Sequence, residues 1–220
     1  MTERSIALQE YGFLKDLSSC FMRPSLTLAE AIRSRKLADV FALQLDTNND
    51  PALTEALAQL TAFSLELRSA SLEEIRMVLE VEYNRLFVGP DKVLAPPYES
   101  YYRTDVAEIR LKTLKGPAEQ QVKEFYRTFG LVMTDAFYEL ADHIAVELDF
   151  LSYLNLMEAR AWKAENQEEV QRIRQGYDIF LRNHLKKWFA SFAKDVATHA
   201  RISFYPALIT IVDRTLLTEA

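Results

Sequence analysis

The sequence contains little glycine, proline or cysteine. Among 220 residues there are 5 glycines and 7 prolines, spread thinly along the chain. Because these residues interrupt helices and build turns, their scarcity favours long helices over a turn-rich β architecture. The single cysteine, Cys20, excludes an intrachain disulfide and a cysteine-based zinc cluster. Cys20 lies between Leu17 and Phe21 and is predicted to pack in the core.

Long apolar runs and an excess of basic residues are also missing. No stretch reaches the roughly 18 apolar residues of a membrane span, and the first residues lack the apolar core of a signal peptide. The chain has 26 basic and 32 acidic residues, a net charge of -6. Phosphate contacts need a basic field, so this balance argues against a nucleic-acid partner. We therefore expect a cytoplasmic protein with no membrane span and no bound nucleic acid.

Apolar residues recur at helical spacing along most of the chain. The pattern predicts an all-α fold, a single-domain bundle of about nine or ten helices that spans residues 1–220. We find no predicted strand and no repeat period. The predicted helices cover residues 6–21, 27–45, 51–68, 71–87, 105–114, 118–129, 135–162, 167–185 (with an apolar stripe continuing towards 196) and 206–217.

The helical pattern stops in a long proline and tyrosine loop at about residues 88–103. The adjacent Pro96 and Pro97 cannot continue a helix. A loop of roughly 15 residues inside a compact domain is more often functional than a short connection. Tyr98, Glu99 and Tyr102 would give it flat aromatic faces and a carboxylate, which suit a cationic and apolar ligand.

The stretch from Glu139 to Tyr153 is predicted to lie in the middle of the helix over residues 135–162. Its apolar face carries Leu140, Ile144, Leu148 and Leu151, and an adjoining face carries Glu139, Asp142 and His143. Because Glu139 and Glu147 would lie one turn on either side of His143, we expect a protonated imidazole. The charged face has two interpretations: a solvated surface, or a binding surface for a cationic partner.

Catalytic motifs are scarce. The glycines are isolated, so neither a P-loop nor a dinucleotide fingerprint exists. Glu139, Asp142 and His143 could offer one metal three ligands, which leaves a metal-dependent hydrolase as an alternative, although further ligand histidines are absent upstream. A generic helical scaffold for protein interactions is a third possibility. Our main expectation is a non-enzymatic binding protein without a metal or cofactor.

Three sequence blocks carry a resemblance to a known family. They are Tyr83-Asn-Arg-Leu-Phe87, then Pro96-Pro-Tyr-Glu-Ser100 followed by Tyr102, and then Glu139-x-x-Asp142-His143-Ile144 with Leu148, Phe150 and Leu151 downstream. In order and spacing these blocks resemble the TorD/DmsD/NarJ family of redox-enzyme maturation chaperones, over nearly the whole chain.

The resemblance implies a cytoplasmic, all-helical, system-specific chaperone. Such a protein binds the leader peptide or N-terminal region of a molybdopterin-containing oxidoreductase subunit and assists cofactor insertion and assembly before export. Many of these leaders carry a twin-arginine motif followed by an apolar segment. The implied peptide-binding residues are Tyr98, Glu99, Ser100, Tyr102, Glu139, Asp142 and His143. The resemblance allows either a monomer or a domain-swapped dimer.

Two departures from the family pattern bear on the subfamily. Leu140 stands where several relatives carry proline, which would make the start of the helix less abrupt. Tyr101-Tyr102-Arg103 is bulkier and more basic than the usual end of the loop motif. We therefore expect the peptide preference to differ from that of relatives.

Overall fold

The computed structural model describes residues 2–89, 92–103, 114–133 and 139–218. Within these ranges the α-helices, some of them extended or joined by π-helical turns, form 10 continuous helical segments. The β pairing in the same ranges is an isolated antiparallel bridge between Tyr98 and His143. These observations confirm the predicted all-α fold. No helix in the described part of the chain is both long and apolar enough to cross a membrane.

The helices are numbered in chain order. They are α1 (Glu3–Phe21), α2 (Leu26–Arg33), α3 (Lys36–Gln44), α4 (Pro51–Glu66), α5 (Leu72–Tyr83), α6 (Glu99–Tyr102), α7 (Pro117–Thr128), α8 (Ile144–Lys163), α9 (Gln167–Phe180), α10 (Lys186–His199) and α11 (Phe204–Val212). Three π-helical turns cover Asn84–Val88 after α5, Leu181–Leu185 between α9 and α10, and Asp213–Leu217 after α11.

Contacts within the chain define two compact units. One comprises Met1–Ser18 and Pro97–Phe189, and the other comprises Ser19–Pro96 and Ala190–Ala220. We call them the motif unit and the second unit, because the first contains both the Tyr98 and the His143 segments. The prediction of a single domain over residues 1–220 stays a prediction.

The motif unit is built around α8, which packs along α9. Its core contains an aromatic cluster in which the Phe150 ring lies 4.4 Å from the ring of Tyr126 and 4.8 Å from that of Phe180. The predicted apolar positions Ile144, Leu148 and Leu151 of α8 are fully buried. Burial of these large side chains is the main stabilising term that holds the helices together.

The second unit packs α11 against α4 and α2 against α5. Its core includes Cys20, as predicted, and an edge-to-face contact between Phe87 and Tyr205 at 4.9 Å. The helix starts predicted at residues 51 and 71 are confirmed to within one residue. The Asp50 side chain accepts hydrogen bonds from the backbone at the start of α4, and Ser71 forms a capping box with Glu74 at the start of α5.

Some predicted boundaries are wrong. The helix predicted over residues 27–45 is two helices, α2 and α3, because Arg35 between them adopts a left-handed backbone with φ of 63°. The predicted loop over 88–103 ends earlier, since Glu99–Tyr102 forms the single turn α6. The short helix predicted over 105–114 lies almost entirely outside the described residues.

The largest correction concerns the helix predicted over residues 135–162. Residues 134–138 lie outside the described ranges, and Glu139 to His143 are not helical. Helix α8 begins at Ile144, with His143 as its extended N-cap residue. Leu140 therefore lies ahead of the helix and not on its buried face. The apolar spacing continues through 140–144, but there the Asp142 carbonyl and the Ile144 N–H bond to Glu99 and Pro97, and helical bonding starts at the His143 carbonyl.

Candidate functional site

Two segments about forty residues apart in sequence meet through their backbones. The N–H of Glu99 donates to the carbonyl of Asp142 at 2.9 Å, and the N–H of Ile144 donates to the carbonyl of Pro97 at 2.9 Å. These two bonds bracket the antiparallel bridge between Tyr98 and His143. The bridge holds the end of the proline loop directly against the start of α8.

Asp142 reinforces this contact with its side chain. Its Oδ2 accepts a hydrogen bond from the backbone N–H of Ser100 at 2.8 Å, at the start of α6. The side chain is fully buried. Desolvation raises the pKa of Asp142 to about 6, against the lowering effect of the bond from Ser100. The predicted solvated surface is therefore wrong at this position.

His143 is also fully buried, and it caps α8. Its Nδ1 accepts a hydrogen bond from the N–H of Ala145 at 3.1 Å. Desolvation lowers the pKa of His143 to about 3, so the imidazole is neutral at physiological pH. The expectation of an imidazolium is wrong because the ring is buried. The segment before Ile144 is also not helical, so Glu139 does not lie one helical turn before His143.

Tyr98 and Glu139 form the half-buried side of the site. The Tyr98 hydroxyl donates to Glu139 Oε2 at 3.0 Å, and the Tyr98 ring meets the His143 ring edge to face at 5.1 Å. Partial burial raises the pKa of Glu139, and the bond from Tyr98 opposes that rise. Tyr98 thus connects an accessible carboxylate to the buried imidazole.

Glu99, the first residue of α6, is fully buried. Its carboxylate forms an ion pair with Arg103 and lies 3.0 Å from Nδ1 of His184. Arg103 also donates to the backbone carbonyl of Asn183 at 3.1 Å. Asn183 and His184 belong to the π-helical turn Leu181–Leu185, where the wider turn changes the direction of the side chains. This turn therefore holds α6 in place.

A second buried carboxyl group, Glu147, lies in the first turn of α8. Its Oε2 accepts a hydrogen bond from Nε1 of Trp188 at 3.1 Å. Burial, followed by the nearby charges of Glu99 and Asp142, raises the pKa of Glu147 well above its ordinary value. Trp188 in turn stacks on the ring of Tyr102 at 5.8 Å. Tyr102 is thereby linked to the same cluster.

The buried imidazole of His143 has one nitrogen without a partner. Within the described residues, no hydrogen-bond partner is found for His143 Nε2. An unpaired buried polar atom typically costs about 1–3 kcal/mol.

All seven residues predicted for the site lie in this cluster, although they belong to two segments about forty residues apart in the sequence. Four of them, Glu99, Ser100, Asp142 and His143, are fully buried, whereas Tyr98, Tyr102 and Glu139 are half-buried. Sequence reasoning missed Arg103, His184 and Trp188. The available signal was the spacing of four from Phe180 to His184 to Trp188, which places a histidine inside an aromatic stripe.

A cleft of about 450 Å³ opens beside the cluster. Arg103 and His184 line it together with Phe125 and Lys187. As for the metal alternative, no group of three potential ligands capable of holding an ion occurs in the described ranges, so Glu139, Asp142 and His143 do not form one.

Comparisons with known proteins agree with the family that the three sequence blocks resemble. A family model described as nitrate reductase delta subunit matches residues 46–194. The chain is 28% identical over 177 residues to a chaperone protein TorD from Salmonella arizonae, covering 80% of this chain and 73% of the relative. It is 29% identical over 180 residues to chaperone protein TorD from Escherichia coli, covering 80% and 77%.

A solved structure is similar along almost the full length. This protein from Archaeoglobus fulgidus, described as a redox enzyme maturation protein, is 26% identical, with a TM-score of 0.51 and 93% of each chain covered. The named relatives are chaperones, which confirms the expectation of a non-enzymatic protein. The chain therefore belongs to the nitrate reductase delta subunit family, within the TorD/DmsD/NarJ group of redox-enzyme maturation chaperones.

Proposed function

We propose that this protein is a cytoplasmic chaperone that binds the leader peptide or N-terminal region of a molybdopterin-containing oxidoreductase subunit. Binding would hold the client until cofactor insertion and assembly are complete and export can follow. The observation that carries the proposal is the backbone bridge at Tyr98 and His143, which brings the loop and helix motifs into one site. The names of the relatives support the same general role.

Burial divides the proposed peptide-binding residues into two groups. Tyr98, Tyr102 and Glu139 are accessible enough to contact a peptide. The Glu139 carboxylate can pair with a guanidinium group, and the tyrosine rings offer faces to cations and apolar side chains. The pairing would also offset the partial desolvation of Glu139. A leader with two arginines followed by an apolar segment fits these groups.

The fully buried residues hold the peptide-contacting side chains in position. Asp142 fixes the start of α6 through the Ser100 N–H, and Glu99 fixes its other side through Arg103 and His184. We assign them to positioning Tyr98 and Tyr102 and not to direct contact. Loss of a buried member would move the binding face, whereas loss of Glu139 would remove one charge from it.

The direct test is binding of a labelled twin-arginine leader peptide, measured by fluorescence anisotropy. Glu139→Gln is expected to weaken binding about tenfold, the loss of one charge-assisted hydrogen bond. Glu168→Gln is the matched control, an exposed carboxylate of the same unit. Replacing both peptide arginines with lysine is also expected to weaken binding, because lysine cannot form the planar fork. Equal affinity for Glu139→Gln and the control would contradict the proposal.

The client itself is tested by affinity purification of the tagged protein from its host under anaerobic growth. Mass spectrometry is expected to detect a molybdopterin oxidoreductase precursor that is lost with Asp142→Ala and reduced with Glu139→Gln. Recovery of the same proteins with both variants would refute this site. If the protein were a generic scaffold, exchange of the Pro96-Pro97 segment for a glycine linker would leave partner binding unchanged.

A further inference from the structure

An apolar groove in the second unit has no role in the proposed leader site. It has a volume of about 500 Å³ and lies between α5 and the turn that precedes α11. Met77, Val78 and Val81 of α5 form its floor together with Ile202. Met77 is 59% exposed and Val81 63% exposed, unusually high values for apolar side chains at helical spacing.

The wall of the groove is rigidly built. Glu82 is buried and accepts two hydrogen bonds from Arg85, at 2.9 and 2.7 Å. It also accepts the backbone N–H of Arg201 at 2.6 Å, while Arg85 donates to the carbonyl of His199 at 2.5 Å. These bonds fix the turn containing Arg201 and Ile202 against the last turn of α5. The groove is therefore preformed, which lowers the entropy lost on binding.

The two ends of the groove carry opposite charges. Glu74 lines it at the first turn of α5, where its bonds to Ser71 lower its pKa and keep it ionised. Arg201 also lines the groove, and its backbone is bonded to Glu82. Glu82 follows Glu74 by eight residues, which is about 12 Å along α5 at the rise of an α-helix. Among the residues that the structure describes, the Arg201 guanidinium has no ion-pair partner. An apolar floor between a carboxylate and a guanidinium defines a direction for its ligand.

We infer that this groove binds an amphipathic helix of a partner protein, lying antiparallel to α5. Helices favour acidic residues in their first turn and basic residues in their last. In the antiparallel orientation the acidic start of the partner lies at Arg201 and its basic end at Glu74. Apolar residues at spacings of three and four cover Met77, Val78 and Val81. The flexible thioether of Met77 adapts to side chains of different shape.

The test uses a labelled synthetic helical peptide of about 14 residues, long enough for marginal helicity. It carries acidic residues in its first turn, leucines at spacings of three and four, and lysines in its last turn. Binding to the full chain is measured by anisotropy. We expect Met77→Asp and Val81→Asp each to weaken binding at least about tenfold. Leu43→Asp is the matched control, since Leu43 is 84% exposed elsewhere in the same unit.

The decisive variant is Arg201→Glu, which keeps the backbone bond to Glu82. It is expected to reverse the preference between the acid-first peptide and a peptide with the charges exchanged. An unchanged preference, or an equal loss with Leu43→Asp, overturns the inference. A concentration-dependent dimer that Val81→Asp abolishes would show that a second copy of the chain covers the groove, which also overturns it.

A twin-arginine leader peptide separates this inference from the proposed function. Its affinity is expected to respond to Glu139→Gln and not to Val81→Asp. If Val81→Asp weakens leader binding instead, the groove is part of the leader site and the separate-partner inference is overturned. Secondary structure measured by circular dichroism verifies that each variant is folded.

Discussion

At the residue scale, the site contains neighbouring buried groups with pKa shifts that oppose each other in their effect on stability. Desolvation raises the pKa of Asp142 and lowers that of His143. Both groups are consequently favoured in their neutral forms. The stability of the protein should therefore depend on pH through two contributions of opposite sign, which single substitutions can separate.

Asp142→Asn is expected to stabilise the protein relative to wild type by an amount that grows with pH. The pKa of Asp142 rises from 3.8 to about 6, so between these values the folded state binds more protons than the unfolded state. Wild type then loses roughly 3 kcal/mol as pH rises through this window, a loss that asparagine avoids while keeping an acceptor for Ser100. Urea unfolding near pH 4 and pH 7 measures the difference.

The control for this prediction is Ser18→Ala, which removes a buried hydrogen bond to the carbonyl of Ala145 without a titrating group. Its effect on the free energy of unfolding is expected to be the same at the two pH values. An Asp142→Asn difference that is equally flat between them would contradict the assigned pKa shift.

His143→Asn is expected to show the opposite trend. The pKa of His143 falls from 6.5 to about 3, so below about pH 6.5 the unfolded state binds more protons and wild type loses stability as pH falls. Asparagine is a good N-cap residue and does not titrate, so the variant should gain several kcal/mol on wild type between about pH 6.5 and pH 3. NMR titration of the His143 ring provides an independent check, and protonation near pH 6 would refute the burial argument.

At the element scale, the start of each helix is decided by a few side chains, and α5 shows this most simply. The Ser71 hydroxyl oxygen accepts a hydrogen bond from the backbone N–H of Glu74 at 3.3 Å. The Glu74 carboxylate accepts one from the backbone N–H of Ser71 at 2.7 Å. The pattern Ser71-x-x-Glu74 is visible in the sequence, and the structure confirms it. By contrast, the start of α8 at Ile144 depends on partners far away in the chain.

Ser71→Ala is expected to lower the free energy of unfolding by about 1 kcal/mol, the usual effect of removing an N-cap. Ser69→Ala, at an exposed turn position two residues earlier, is expected to change it very little. Hydrogen exchange of the first amides of α5 should be faster in Ser71→Ala only. Equal effects of the two substitutions would rule out the capping explanation.

The π-helical turn Leu181–Leu185 is one of the elements that sequence patterns did not predict. The apolar spacing of four through Phe180, His184 and Trp188 indicates a continuous helix, and the helical segment is indeed continuous from Gln167 to His199. The additional residue within one turn sets the positions from which Asn183 and His184 reach Arg103 and Glu99. Local helix propensity contains no signal for the inserted residue, because the contacts that stabilise the π-helical turn are made with residues of α6 and Arg103.

At the scale of the whole molecule, one thiol reports on the opening of the structure. Cys20 is the single cysteine and is fully buried. Its reaction with a disulfide reagent should therefore require unfolding or local opening, and proceed at least about a hundredfold slower in native buffer than in denaturant. Absorbance of the released thiolate measures the rate. Rapid stoichiometric labelling in native buffer would contradict the burial of Cys20.

Sequence by itself determined the all-α class and most boundaries of the helices in the described ranges. These follow from local causes: apolar spacing, capping residues at Asp50 and Ser71, and scarce glycine and proline. The residues of the candidate site were proposed from the resemblance of three motif blocks to a known family, because the order and spacing of such blocks can be compared without knowledge of the contacts.

Only the tertiary structure decided that α8 begins at Ile144, that Asp142 and His143 are buried, and that His143 is neutral. The physical reason is that the Asp142 carbonyl and the Ile144 N–H pair with Glu99 and Pro97, so the helical hydrogen bonds of α8 begin only at the His143 carbonyl. A contact between segments about forty residues apart leaves no periodic trace in either one. The partners Arg103, His184 and Trp188 became visible for the same reason, since only folding brings them to the buried carboxyl groups.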